Sequence, residues 1–202
     1  MSRTQTSIGP EDHGRRMSLA EFDHAEVKEG HLYELEGGVI VASDVPKRKH
    51  LAQVMALRRA RLLYDAARPG VIHSVAGGGE CKLLIPPNES ERHPDLTVYR
   101  TPPPPDEAIW STWILEIVFE VVSPGSEGRD YHDKPGDYLA FGVPEYVIVD
   151  AEAEMVTVMT RAAQGWSRRW LRRGDVYETT QLEGFAVPVS QLLDAARDAD
   201  ER

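Results

Sequence analysis

The pattern of apolar and polar positions switches between two periods along the chain, and the switches mark its elements. Ser18, with Glu21 three residues later, has the spacing of a capping box and predicts a short helix through about Val27. His31 to Glu36 and Val39 to Ser43 flank Gly37-Gly38, the pattern of a hairpin with a tight glycine turn. Leu51, Val54, Met55, Leu62, Leu63 and Ala66 recur at helical spacing. They predict a long helix from Arg48 to about Ala67, ended by Arg68-Pro69-Gly70. Val71 to Ala76 and Glu80 to Ile85 are short strand candidates around Gly77-Gly78-Gly79. Asp95 to Arg100 is a third, after a polar loop containing Pro86-Pro87.

The second half is more strongly patterned. Thr101 to Thr112, with four consecutive prolines, reads as an exposed loop and a candidate border of the substrate cleft. Ile114 to Val122 is nearly continuously apolar, as expected of a central strand covered on both faces. Pro135 to Phe141 predicts a helix stopped by Gly142, and Glu145 to Asp150 a buried strand directly after it. Val156 to Thr160 and Trp166 to Leu171 predict a hairpin that extends the sheet, and Ser190 caps a terminal helix through about Ala196. The order of helix, strands, helix and strands implies an α/β (α+β) architecture, a mixed central sheet flanked by helices.

Composition narrows the class. A chain of 202 residues, 41% hydrophobic and 28% charged, has the size and apolar content of a single domain, expected over residues 18–202, with residues 1–17 a polar, flexible leader. The longest apolar stretch is interrupted by Glu116 and Glu120, so no membrane span is expected. One cysteine, Cys81, excludes an internal disulfide and a multi-thiolate zinc site, and a reducing cytoplasm fits. The net charge of −10 argues against a broad nucleic-acid-binding surface, because phosphate affinity comes largely from Lys and Arg. Basic residues nevertheless cluster at Lys47-Arg48-Lys49-His50, at Arg58, Arg59 and Arg61, and at Arg168, Arg169, Arg172 and Arg173, which leaves room for a local track.

One acid stands out against this background. Glu120 lies within Val118-Phe119-Glu120-Val121-Val122, where a buried carboxylate is costly unless paired, protonated or bound to a metal. Glu116 shares its strand face, but at ~3.3 Å per residue the two sit roughly 13 Å apart and cannot share one ion directly. Glu120 is nearer the strand's C-terminal end, beside Ser123-Pro124-Gly125, and is the better site candidate. Asp95 opens its strand directly after Pro94, and an adjacent antiparallel strand would bring it to Glu120. His93 and Asp95, two residues apart, are an alternative transition-metal pair. Gly77-Gly78-Gly79 lacks the Lys-Ser or Lys-Thr of a P-loop, and Ser123 lacks the glycines of a nucleophile elbow.

His93-Pro94-Asp95-Leu96, Phe119-Glu120-Val121-Val122-Ser123-Pro124, Asp130, Lys134, Tyr138 and Gly142 to Asp150 together resemble the Uma family of restriction-endonuclease-like proteins, within the PD-(D/E)XK nuclease superfamily. Tyr33 to Gly37 and His50 match the N-terminal half of that family, so the resemblance runs from about Leu19 to Asp150. It implies a restriction-endonuclease-like fold in which Asp95 and Glu120, helped by the Val121 carbonyl, hold Mg²⁺ or Mn²⁺ and phosphodiester bonds are hydrolysed. The superfamily lysine two residues after the second acid is replaced here by Val122, and the resemblance assigns its role to Lys134, orienting or helping to deprotonate the attacking water. Pro135 disfavours helical geometry at Lys134 and moves the expected helix start to Pro135. Val147 stands where the family commonly places tryptophan, a packing change.

Glu34 is a further candidate metal or water ligand, against an exposed hairpin glutamate, and His50 a candidate phosphate contact, against a plain residue at a helix start. Trp166, Trp170 and Tyr177 near the arginines read as packing residues rather than base-stacking ones. The function expected is a metal-dependent endodeoxyribonuclease acting on DNA as a homodimer, since cutting both strands needs two sites. Its rivals are a catalytically silent nucleic-acid- or protein-binding module on the same fold, and a toxin-like or mobile-element-associated protein with a narrow target.

Overall fold

A computed structural model describes residues 6–105 and 108–199. Its centre is a six-stranded sheet in the order Gly165–Leu171, Met155–Ala162, Glu145–Asp150, Ile117–Val121, Leu96–Tyr99, Ser74–Ala76. Ile117–Val121 and Glu145–Asp150 run parallel and the other neighbours antiparallel, so the sheet is mixed. The parallel pair needs a crossover. It is made by a helical segment that opens with a π turn at Arg129–Asp133 and continues as the α-helix Lys134–Phe141, stopped by Gly142 at φ 106°.

Every residue of Ile117–Val121 and Glu145–Asp150 is buried, as the near-continuous apolar runs require. Odd-numbered Ile117, Phe119 and Val121 pack with Leu57 and Tyr64 of the helix Arg48–Ala67 and with Leu192 and Leu193 of the helix Val189–Asp198. Even-numbered Val118 packs on the other face with Tyr138 and Phe141 of Lys134–Phe141. This period-two alternation sends Glu120 to the face carrying Lys134 and Tyr138. A second, antiparallel sheet has the order Val39–Asp44, His31–Glu36, Ser90–Arg92, Leu83–Ile85.

Several expectations change. Ser18 and Glu21 do form a capping box, but the helix ends at Asp23, because Glu26–Val27 pairs in parallel with Ser7–Ile8. Residues 6–17 are accordingly not a flexible leader. Ile8 is fully buried with Leu19, Phe22, Leu35 and Ile40, and Arg15 and Met17 make backbone hydrogen bonds to Ile40 and Gly38. Residues 1–5 of the expected leader lie outside the described residues. The polar loop after Pro86-Pro87 contains the strand Ser90–Arg92, buried at all three positions.

The helix Arg48–Ala67 has the predicted bounds, but most of the apolar positions that predict it do not face the core. Leu51, Met55, Leu62 and Leu63 are exposed, while His50, Gln53, Ala56, Leu57 and Tyr64 face inward. Apolar residues lie on both sides of this helix, so periodicity alone selects no face. The terminal helix starts at Val189 after Pro188, placing Ser190 inside it. Ile109–Thr112 forms a short helix within the expected proline loop, and this connection leaves from Tyr99, the far end of its strand from Asp95. It therefore does not border the acidic pair. Among the described residues no helix is long and apolar enough to cross a membrane.

Candidate active site

Leu96 pairs with Phe119 in antiparallel register, and one further step brings Asp95 level with Glu120. Opposed residues of an antiparallel pair share a sheet face, so the two acids project the same way. Asp95 is fixed from several sides. One carboxylate oxygen accepts the Val121 N–H at 2.8 Å, and the other lies 3.0 Å from Nε2 of His50. Behind it the backbone of Asp95 runs against Gly77, where a Cβ would stand 2.1 Å from the Asp95 carbonyl oxygen. Gly78 donates its N–H to the Pro94 carbonyl at 2.7 Å. The glycine turn is thus a close-approach site holding the start of the Asp95 strand, a role for glycine that needs no phosphate.

His50, in the first turn of Arg48–Ala67, bridges Asp95 and Ser123, whose Oγ is 3.0 Å from Nδ1. An ionised carboxylate only accepts, so Nε2–H donates to Asp95, and in a neutral ring Nδ1 accepts the Ser123 hydroxyl. The Ser123 N–H in turn donates to Ser126 Oγ, and that hydroxyl donates to Asp130 at 2.6 Å.

Glu120 is buried and accepts a hydrogen bond from the Tyr138 hydroxyl on one oxygen, with the Lys134 Nζ 3.0 Å from the other. Lys134 also lies 2.8 Å from Asp130. Burial pushes the Glu120 carboxyl well above its usual range; Lys134 opposes this, while Asp95, Asp130 and Glu34 add to it. For Lys134, burial favours loss of the proton, but Glu120 and Asp130 outweigh it and raise the ammonium above its ordinary value. It is a fixed cation.

The π turn explains how Lys134 gets there. Its backbone N–H donates to the Arg129 carbonyl five residues back, and its φ and ψ of −60° and −35° are helical despite Pro135. The expected helix start at Pro135 is therefore one residue late. The wide turn carries the chain into the helix without needing an N–H from the proline, and it brings Asp130 and Lys134 onto one face as an i, i+4 pair.

Glu34 borders this cluster from the second sheet and is buried, not an exposed hairpin residue. It accepts the His93 N–H at 2.9 Å and pairs with Arg92 and Arg129 at 3.5 and 3.4 Å. Burial alone would raise its carboxyl, but Lys134, Arg92 and the His93 N–H outweigh it and hold it at about 2. Arg92, wholly buried, also binds Glu36 at 2.9 Å and Asp137 at 2.7 Å. The ring of His93 is turned to the Cys81 carbonyl and the Glu91 carboxylate. Burial lowers the imidazole, but the Glu91 hydrogen bond and Glu34 outweigh it and raise it above its ordinary value. The ring thus faces these two acceptors and not Asp95, and the alternative His93–Asp95 pair is not assembled in this conformation. Glu116 is spent elsewhere, accepting the Arg100 N–H.

Sequence reasoning missed Arg92 and the part of Ser123 as the partner of His50. It noted Asp130 and Tyr138 without giving them a task. Trp166 packs near Tyr146 with its indole N–H on the Pro135 carbonyl, and Tyr177 is buried against Glu145, whereas Trp170 is exposed.

The donor set suits a hard cation. Among the described residues no three His, Cys, Asp or Glu side chains gather into a metal-holding group. Mg²⁺, however, retains several waters and takes one or two protein carboxylates. Asp95 and Glu120 offer two such groups on one face, with Asp130 and Glu34 adding negative charge around Glu120 and Lys134 opposing it.

Known proteins place this arrangement in context. A family model described as Uma2, putative restriction endonuclease, matches residues 19–190. No curated protein matches. A crystal structure described as a putative nuclease belonging to DUF820, from Anabaena variabilis, is similar with a TM-score of 0.68 at 15% identity. The match covers 89% of this chain and 99% of that one, so the two share a fold. With the family model spanning most of its length, the chain belongs to the Uma2 family.

Proposed function

We propose that this protein is a metal-dependent endonuclease that hydrolyses phosphodiester bonds of DNA, with Asp95 and Glu120 as the metal carboxylates and Lys134 as their basic companion. The observation that carries this reading is the in-register placement of Asp95 beside Glu120, with the Lys134 ammonium 3.0 Å from the Glu120 carboxylate. The two carboxylates and the Val121 carbonyl would hold Mg²⁺ or Mn²⁺, which would supply acidity to a water and offset charge on the scissile phosphate. Lys134 contributes a permanent positive charge and hydrogen bonds to a phosphate oxygen, not a base, because its acid neighbours keep it protonated. His50 holds Asp95 in its orientation through the Nε2 hydrogen bond. Glu34 sits at the edge of the cluster with its charge retained, suited to hydrogen-bond a water. Cutting both strands requires two such sites, so the active species is a homodimer.

Cleavage of supercoiled plasmid in Mg²⁺ and Mn²⁺ tests the proposal. The wild type converts it to nicked and linear forms, and Asp95→Asn and Glu120→Gln each reduce the rate at least ~10²-fold, the scale of losing one preorganised electrostatic group. Equal rates for wild type and both variants would overturn it. The net charge of −10 favours a second reading, a binding module without catalysis. Metal binding with no cleavage of DNA or RNA would select that reading.

A further inference from the structure

The helix Arg48–Ala67 and its flanks, residues 47–68, carry seven basic residues against one acid, Asp65, in a chain whose net charge is −10. Positive charge is therefore concentrated on one element, and that element touches the acidic site through His50. Further along it, a cleft of about 130 Å³ opens between the helix and the edge strand Ser74–Ala76, lined by Arg58, Arg61, Leu62 and Val75. Arg58 reaches Glu80 at 2.8 Å, and Glu80 also accepts the Gly77 N–H at 3.0 Å. The cleft is thus connected through the glycine turn to the backbone that carries Asp95. Nε of Arg61 is buried with no hydrogen-bond partner among the described residues. Arg61 as a whole is partly exposed to the cleft, and its buried Nε–H lacks the acceptor that buried donors normally have.

We propose that the Arg58–Arg61 cleft binds a backbone phosphate of the nucleic-acid strand lying in the active site, a few nucleotides from the scissile bond. The reach is appropriate. Eight to eleven helical residues separate His50 from Arg58 and Arg61, ~12–16 Å along the axis. That equals three to five nucleotide steps at ~3.4 Å per step of one strand. The chemistry also matches, since guanidinium donors fit phosphate oxygens in a planar fork. Exposed Arg48 and Arg59 add positive charge on the same helix, and Leu62 gives the cleft an apolar wall. This site concerns substrate holding and rests on the nuclease reading.

Fluorescence anisotropy tests it, with full-length protein in Ca²⁺ buffer and single- and double-stranded DNA and RNA of equal length as probes, over a salt series. Removing both guanidiniums in Arg58→Gln/Arg61→Gln weakens duplex DNA binding at least ~10-fold and lowers the log–log salt slope by about 1, for the one phosphate contact. Arg61→Gln alone, which disturbs no ion pair to Glu80, moves affinity and slope part of the way in the same direction. Arg168→Gln, in the separate basic cluster of the last hairpin, changes affinity less than twofold. Wild-type affinity and slope in the double variant, or no binding of any probe by the wild type, would overturn the cleft assignment. The nuclease reading is scored separately by Mg²⁺ cleavage: binding with the predicted slopes but no cleavage sinks that reading and leaves the cleft standing.

Discussion

Asp95 accepts the backbone N–H of Val121 at 2.8 Å, and through that single bond the first acid of the site is locked to the strand that carries the second. The strand Ile117–Val121 delivers Glu120 from inside the sheet, while Asp95 stands just outside its own strand, held by the neighbouring backbone, by His50 and by the glycine turn. The following predictions depend on this construction.

Gly77→Ala introduces a methyl group where the Asp95 carbonyl oxygen now lies, at 2.1 Å from the ideal Cβ. The obstacle is backbone, so the Asp95 strand must shift. We expect a loss of ~1–3 kcal/mol in urea unfolding, as for other overpacked sites, together with loss of cleavage. Gly79→Ala, with nothing within 4 Å of its Cβ, leaves both unchanged. Equal behaviour of the two variants would contradict the close-approach role.

Lys134→Ala leaves Glu120 and Asp130 buried without their shared cation. Breaking a buried ion pair from one side costs ~3–5 kcal/mol, and equilibrium unfolding should show a loss of that size at neutral pH. A change under 1 kcal/mol would mean that the ammonium is not the counter-charge of this cluster.

Glu34 supplies a pH signature. Its carboxyl is held at about 2 in the folded protein, below its ordinary value of 4.5. A depressed folded value stabilises the fold above pH 4.5, and the contribution is lost as pH falls from there towards 2. For this buried group the full effect is about 3 kcal/mol. Unfolding of wild type and Glu34→Gln should therefore differ most at pH 7, with the gap shrinking at pH 3.5. A gap that is constant with pH would contradict the assignment.

Much of this site can be read from the residues before folding. The apolar run around Glu120 marks both a central strand and an acid that needs a partner, and Pro94-Asp95 marks a carboxylate at a strand entrance. Other parts depend on contacts between distant residues. His50 and Ser123 meet across 73 positions, and no local pattern links them. Ser90–Arg92 lacks any apolar signal, because its burial is offset by ion pairs to Glu34, Glu36 and Asp137 rather than by hydrophobic packing. The π turn at Arg129–Asp133 depends on a hydrogen bond five residues long, which the usual 3.6-residue period does not encode, and Pro135 read alone places the helix start after Lys134. The buried face of Arg48–Ala67 is not legible from periodicity, because His50 and Gln53 are inside and four large apolar residues are outside.

The central claim is that Asp95 and Glu120 hold one divalent ion between them. Isothermal titration calorimetry with Mn²⁺ and Mg²⁺ on the wild type and on Asp95→Asn/Glu120→Gln tests it most directly. The account predicts one saturable site per chain in the wild type and none in the double variant, with both proteins folded by circular dichroism. Identical isotherms for the two proteins would contradict it.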